Sequence, residues 1–145
     1  MTIKEIQKKI ADHLNSVETL VQGGCKAFAE DALGLGFELA RTLNEGCVTI
    51  VVVTPKVDRS GSGCPDGIPV EIALAIQCVE KPALNREAHG HLTALDAAEL
   101  IAHELDGETL EFNGISQYAD DKARTITATV TFGYDGILSQ SESEI

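Results

Sequence analysis

The chain has 145 residues, of which 43% are apolar and 23% are charged, and its formal net charge is −12. This length and composition predict one folded domain and exclude a disordered chain. The shortage of Lys and Arg argues against tight binding to nucleic acid or to an anionic membrane, and no apolar run approaches the ~20 residues that cross a bilayer. Because the first residues lack the apolar core of a signal peptide, we expect a soluble protein of the cytosol.

The first element in the sequence is a helix. Thr2 and Glu5 have the spacing of a capping box, and the residues that follow repeat apolar side chains with the period of an α-helix. These apolar residues are Ile3, Ile6, Ile10, Leu14 and Val17. Gly23 and Gly24 interrupt the pattern, so the helical region ends before them.

A second helix is predicted to begin near Glu30 or Asp31, after a short extended piece over residues 25–29. Its apolar positions fall on one face, which we expect to pack against the body of the protein. They are Leu33, Phe37, Ala40 and Leu43. Gly46 follows as the residue that terminates the helix.

Two strands come next. The β-branched run over residues 48–53 predicts a central strand that is buried on both faces and stops at Pro55. Residues 58–67 contain three glycines and are predicted to form a mobile loop. Over residues 68–78 apolar side chains alternate strictly with other residues, which predicts a long strand with one end projecting beyond the body of the sheet.

The last part of the chain predicts a helix and a hairpin. Thr93 and Asp96 have the spacing of an N-cap and its N3 residue, so a helix begins there and ends before Gly107. Its predicted buried stripe is Leu95, Ala98, Ile101 and Leu105. The hairpin pairs residues 110–116 with residues 125–132, and the second strand has an apolar face and a threonine face.

The predicted order of elements is α-α-β-β-α-β-β. Because the loops within each strand pair leave no room for a crossover helix, the fold class is α+β, with a mainly antiparallel four-stranded sheet and helices packed on one face. Residues 1–136 form this single domain, and residues 137–145 form a flexible acidic C-terminal tail. We expect the threonine face and the long strand to mediate self-association.

Candidate catalytic chemistry is sparse, because the sequence contains no known catalytic or phosphate-binding motif. The four cysteines have no CxxC spacing, so we expect reduced structural thiols, with Cys64 exposed in the loop. His89, His91 and His103 leave an alternative open, in which a small metal-binding or hydrolytic domain uses them. His103-Glu104 does not complete the HExxH pattern of zinc proteases, because the second histidine is replaced by Gly107.

The order of certain segments resembles a known protein family. Leu43-Asn44-Glu45-Gly46 leads into the first long strand, and the second strand ends in Glu80-Lys81-Pro82-Ala83-Leu84-Asn85-Arg86. A helix then closes at Leu105-Asp106-Gly107 before the hairpin. Over roughly residues 2–134, this succession resembles the tail-terminator and minor tail proteins of long-tailed bacteriophages.

The resemblance implies a structural virion protein without catalytic residues, cofactor or metal. Such a protomer assembles into a ring, typically a hexamer, at the end of the tail tube, where it terminates tube growth and joins the tail to the head. The implied partners are further copies of the chain, the tail tube protein and the head-tail connector protein. The implied location is the virion tail, after assembly in the bacterial cytoplasm. DNA would pass through the ring without specific binding, which an acidic wall would suit.

Four residues are candidates for contacts within such an assembly. Lys56 and Arg59 flank the glycine-rich loop in a chain poor in basic residues, so we expect them to contact the tube or a neighbouring protomer. Asn85 and Arg86 lie at the turn between the long strand and the following helix. Arg86 is predicted either to bind Glu80 locally or to reach across an interface. A monomeric adaptor is a further alternative to the ring.

Overall fold

The computed structural model describes residues 1–63, 65–85 and 87–139. The helices are α1 (Ile3–Leu14), α2 (Glu18–Gln22), α3 (Leu35–Asn44) and α4 (Ala94–Leu105), with a short 3-10 turn at Glu87–His89. The strands are β1 (Lys26–Ala29), β2 (Thr49–Arg59), β3 (Ile68–Glu80), β4 (Leu110–Asp120) and β5 (Thr125–Leu138). The order is thus α-α-β-α-β-β-α-β-β, apart from the 3-10 turn.

The sheet has five strands in the order β1-β2-β3-β5-β4. β1 runs parallel to β2, and the other three neighbouring pairs are antiparallel. The predicted α+β class and the mainly antiparallel sheet are therefore confirmed, whereas the predicted number of four strands is wrong. The additional strand is β1, which coincides with the short extended piece predicted over residues 25–29 but was not counted in the sheet, because it pairs with β2 only across the crossover through α3.

The helices differ from the prediction in their number and bounds. α1 has the predicted cap, since the Thr2 hydroxyl accepts a hydrogen bond from the Glu5 backbone N–H at 3.2 Å, but the helix ends at Leu14 and α2 follows as a separate short helix. α3 begins at Leu35 rather than near residue 30, after Gly34 with a φ of +73°. Its predicted apolar face is buried only at its C-terminal end, at Leu43.

One face of the sheet forms the main hydrophobic core. The side chains at alternate positions of β2, β3 and β5 pack there against α1, α2 and α4. These residues are Ile50 and Val52, with Val48 just before β2, then Leu74, Ile76 and Cys78, then Ala128, Val130 and Phe132. The predicted burial of both faces at the start of β2 is confirmed, because Thr49 and Val51 on the other face are also buried.

The sheet extends further than predicted. β2 does not stop at Pro55 but continues to Arg59, with a register shift between Val53 and Lys56 that places the proline in an irregularity of the strand. β4 and β5 likewise run beyond residues 116 and 132. β5 includes residues 137 and 138, so part of the predicted tail is strand, while residues 140–145 lie outside the described residues.

α4 begins as predicted, but its buried stripe differs from the predicted one. The Thr93 hydroxyl accepts a hydrogen bond from the Asp96 N–H at 3.2 Å. The residues buried against the sheet are Ala94, Ala97, Ala98 and Ile101, whereas Leu95 is exposed. Small alanines allow the helix backbone to approach the strands, so the large Leu95 lies one step outside the contact stripe.

A buried carboxylate joins the end of β3 to the start of α4. Glu80 accepts one hydrogen bond from the Asn85 side-chain amide and one, at 3.0 Å, from the backbone N–H of Ala94. The positive end of the α4 dipole and two donors compensate for the desolvation of this charge. Asn85 also donates to the Leu92 carbonyl at 3.1 Å, so the turn is fixed at both ends.

We predict that Glu80→Ala lowers the free energy of unfolding by about 1–3 kcal/mol, because it leaves the buried Ala94 N–H without an acceptor and removes one of the two hydrogen bonds of the Asn85 amide. Chemical denaturation measures the change. Glu99→Ala, on the exposed side of α4, serves as the control and is expected to have little effect. Equal losses for the two variants would show that the buried carboxylate is not a structural link.

Gly67 is required where the loop enters β3. Its φ is +140°, and a Cβ at this position would overlap the backbone carbonyl of Leu138 in β5. We predict that Gly67→Ala destabilises the fold by about 1–3 kcal/mol, through backbone strain and displacement of the β5 end. Gly63→Ala, where a Cβ meets no atom within 4 Å, is the control in the same denaturation experiment. Indistinguishable stabilities for the two variants would contradict the close approach.

Candidate interaction surface

Three strands continue beyond their outer neighbours at one end of the sheet. β1 pairs with β2 only as far as Val52, and β4 pairs with β5 only as far as Tyr134. Residues 56–59, 68–72 and 135–138 therefore form a three-stranded extension, in which no described strand pairs with the outer side of β2 or β5. The long strand β3 therefore does not project alone, because β2 and β5 continue on either side of it.

The extension is folded rather than loose. One face is covered by α1, where Ile6 packs against Val70 and Ile72, and Ile3 and Leu138 contact the same cluster. The loop at its tip is anchored by the hydrogen bond from the Ser60 N–H to the Pro69 carbonyl at 3.0 Å. The free strand edges are therefore held in a fixed position.

The β2 edge of the extension holds both basic residues predicted from the sequence. Lys56 forms an exposed ion pair with Asp58 at 3.4 Å, and the Arg59 guanidinium donates to the Gly61 carbonyl at 3.3 Å. An exposed ion pair of this kind contributes little to stability, so Lys56 can exchange its partner at small cost. Both residues therefore lie on one strand edge but on opposite faces of it, since Lys56 is opposite Ala73 and Arg59 is opposite Val70 on the face that α1 covers.

The β5 edge of the extension is acidic. Asp135 lies directly opposite Glu71, which in turn lies opposite Asp58, so three carboxylates form one row across the three strands. Glu108 and Glu111 join Glu71 and Asp135 around an open polar cavity of about 330 Å³. Directly opposed like charges destabilise a sheet pair, so this edge favours a positively charged neighbour.

Asn85 and Arg86 are not part of this surface. Asn85 lies at the opposite end of β3, where it makes the contact with Glu80 that the sequence assigned to Arg86 as one option. Arg86 itself lies outside the described residues, so neither of its predicted roles is tested. Asn85 is accordingly a structural residue of the turn.

The three candidate histidines lie in different parts of the structure. The His91 Nδ1 lies 2.9 Å from the Gly46 carbonyl, and its ring packs on Gly24. His103 lines a shallow cavity with Glu99 and Asp106, while His89 belongs to the 3-10 turn. Among the described residues, no three His, Cys, Asp or Glu side chains are grouped as metal ligands. The structure therefore does not assemble the alternative histidine site.

Two other features escaped the sequence analysis. Leu33 is fully exposed and Phe37 is 72% exposed, although the helical pattern predicted both to be buried. An open groove of about 500 Å³, lined by Ile10, Leu105, Leu110 and Tyr134 among others, lies between α1 and the end of α4. Gly34 and Gly36, which lie between Leu33 and Phe37, were the available signal that the helix begins late.

The predicted threonine face lies on the side of the sheet away from the main core. Thr127, Thr129 and Thr131 are half-buried there, and Tyr118 of β4, opposite Thr127, is largely exposed. The described structure contains no second chain, so self-association through this face stays a prediction.

Comparison with known proteins gives no family. No family profile and no curated protein matches the chain. A crystal structure of a protein from Akkermansia muciniphila is similar at 14% identity and a TM-score of 0.38, covering 97% of this chain and 79% of that one. A structure from the same organism of a protein without its transmembrane region has 15% identity and a TM-score of 0.35, covering 95% and 85%. Likeness at this level carries no argument about function.

The helices of the described ranges are all too short or too polar to cross a membrane.

The cysteines with described surroundings are buried. Cys25 and Cys78 face the main core as thiols, and the Cys47 sulfur lies 3.9 Å from the Glu45 carbonyl oxygen. Burial raises the pKa of the Cys25 thiol from 9.0 to about 12, and it also raises the pKa of Cys78. These are inert structural thiols. Cys64, the cysteine predicted to be exposed, lies outside the described residues.

We predict a pH dependence from Cys25. Its folded pKa is raised, so between pH 9.0 and about 12 the unfolded chain loses a thiol proton that the folded chain keeps. The free energy of unfolding should therefore fall as pH rises through this range, by about 1.4 kcal/mol per pH unit from this group. Denaturation of wild type and Cys25→Ala at a series of pH values measures the difference in slope.

Val48→Ala is the control for this experiment, because it truncates a buried neighbour in the same core without removing a titrating group. It should lower stability by a similar amount at every pH and leave the slope unchanged. A Cys25→Ala variant with the wild-type slope would contradict the assignment.

Proposed function

We propose that the protein is a structural component of a bacteriophage tail, which assembles with copies of itself into a ring at the end of the tail tube. There it terminates tube growth and joins the tail to the head. The observation that carries the proposal is the three-stranded extension, which presents two unpaired edges of different sequence and opposite charge balance on one protomer.

Ring formation requires this kind of asymmetry. A cyclic assembly of more than two copies uses heterologous contacts, in which one patch of a protomer meets a different patch of the next. A protein with a single self-complementary patch would stop at a dimer. The basic β2 edge and the acidic β5 edge supply two distinct patches on opposite sides of the same sheet.

The charge of the chain supports a place on the DNA path. Residues 86–145 carry 3 basic and 12 acidic groups, so a ring of such protomers would repel the phosphate backbone and let DNA slide. The proposed partners are further copies of the chain, the tail tube protein and the head-tail connector protein. The proposed role involves no catalysis, no cofactor and no membrane.

Charge reversal at the β2 edge tests the proposal. The double variant Lys56→Glu/Arg59→Glu should weaken self-association by at least about 100-fold, since like charges would then face each other across the contact. Sedimentation over a range of concentrations, with electron microscopy of the particles, measures the effect. The control is Lys122→Glu/Arg124→Glu, which makes the same charge change on exposed residues of the β4–β5 turn, at the other end of the sheet.

The control variant should assemble like wild type. A wild-type protein that stays monomeric at a concentration on the order of 1 mM, and that does not bind tail tubes, would overturn the proposal in favour of a monomeric adaptor. Assembly that is equally strong in both double variants would remove the extension from the contact.

A further inference from the structure

An apolar segment, residues 33–37, protrudes between β1 and α3. Leu33 is fully exposed and Phe37 is 72% exposed. A Cβ placed on Gly34 or Gly36 would meet no described atom within 4 Å, so the backbone of the segment is open as well. Neighbouring large apolar side chains that are left in water mark a surface that another molecule covers.

The segment is carried on a defined backbone. The Ala32 N–H donates to the Ala29 carbonyl at 3.0 Å, and the Leu35 N–H donates to the Ala32 carbonyl at 3.1 Å. Asp31 forms an ion pair with Lys4 of α1 at 3.5 Å. The turn before the segment is therefore tied to α1, and α3 begins directly after it.

The groove between α1 and the end of α4 suits side chains of this kind. It has a volume of about 500 Å³, which is in the usual range for a binding pocket. Ile72 and Leu74 of β3, both buried, lie at its base. Ile10, Leu105 and Leu110 line its walls. The groove therefore offers apolar surface to a large apolar side chain from outside.

The segment and the groove lie on different sides of α1. Lys4 and Lys8 line a cavity together with Asp31, on the side where the segment begins. Lys9 and His13 line the groove. Successive residues of a helix are rotated by roughly 100°, so these two pairs of residues face different directions. Because α1 stands between them, the segment cannot enter the groove of its own chain.

Both features adjoin the surfaces of the proposed ring contact. The segment begins beside the outer side of β2, where the Glu30 N–H donates to the Val52 carbonyl at 3.0 Å, and the same strand carries Lys56 further along. The groove shares Glu108 and Tyr134 with the acidic cavity. Insertion of the segment into the groove would therefore be continuous with a contact between the basic and the acidic surfaces.

The charges around the segment and the groove are complementary. Glu30 precedes the segment, and Arg41 lies one turn after Phe37 on the same face of α3. The groove has Lys9 on its α1 wall and Glu108 on the opposite wall. Arg41 has ion pairs within α3, but these are exposed and can be exchanged at small cost. Each charge beside the segment thus finds an opposite charge beside the groove.

We propose that Leu33 and Phe37 of one protomer insert into the groove between α1 and α4 of the next protomer. The occupant of the groove is a second copy of this chain. The inference rests on the proposed function, and it specifies which surfaces meet in the ring. Each protomer has one segment and one groove on different sides, so a closed ring fills every groove and covers every segment.

Removal of the two apolar side chains tests the insertion. The double variant Leu33→Ser/Phe37→Ser should weaken self-association by at least about 30-fold, because buried apolar anchors dominate such contacts. Its stability in denaturation should equal that of wild type, since both side chains are exposed in the single chain. The control is Tyr118→Ser, which removes an exposed aromatic side chain from β4 and should leave association unchanged.

Cross-linking gives an independent readout of the site. A photoreactive phenylalanine analogue, benzoylphenylalanine, replaces Phe37, and labelled and unlabelled copies are mixed so that links between chains are identified by mass spectrometry. The expected links join residue 37 of one copy to α1 or to residues 105–110 of another. The same analogue in place of Tyr118 is the control and should give no links to these residues.

The outcomes separate the two proposals. Wild-type assembly with unchanged association of the double variant, or with cross-links outside the groove, overturns the insertion and leaves the ring in place. Failure of wild-type protein to assemble at all overturns both. Weakened association together with cross-links in the groove supports the insertion, because the cross-links do not depend on the folding of the double variant.

Discussion

The central strand β3 sets the architecture of the molecule. It pairs with β5 along all of Ile68–Glu80 and with β2 along most of its length, whereas β1 and β4 stop short at the same end. Backbone N–H and C=O groups need partners, so a sheet of unequal strands always leaves some of them to solvent or to another chain. In this protein the difference in strand length falls at one end of the sheet. There β2 has an unpaired edge on one side and β5 has one on the other.

The remaining long edge of the sheet is less suited to pairing. β4 has a register shift between Phe112 and Gly114, and Gly114 has a φ of +154°, so the outer strand bends where a partner would have to lie flat. Bulges of this kind protect edges from association. In β2 the register shift lies between Val53 and Lys56, before the extension begins. The pairing of residues 56–59 with β3 is therefore regular.

Much of the fold could be predicted because it depends on local patterns. The alternation in β3, the Thr93 cap and the apolar face of β5 each follow from neighbouring residues. The extended piece at residues 25–29 was visible in the sequence, but its place in the sheet as β1 was not, because that depends on parallel pairing with β2 across α3. The exposure of Phe37 likewise depends on where the helix meets the sheet, whereas Gly34 and Gly36 were a local signal for the late start of α3.

Of the candidate interaction surface, only the basic residues were predicted from the sequence. Lys56 and Arg59 stood out because basic residues are scarce, but Glu71, Glu108, Glu111 and Asp135 are dispersed in sequence and become neighbours only through the register of β3, β5 and β4. Carboxylates beside a strand edge also oppose the pairing of two such edges, because like charges repel. In the proposed ring, an edge with this charge would favour a basic surface as its neighbour, so the same carboxylates would both oppose random aggregation and give the assembly a direction.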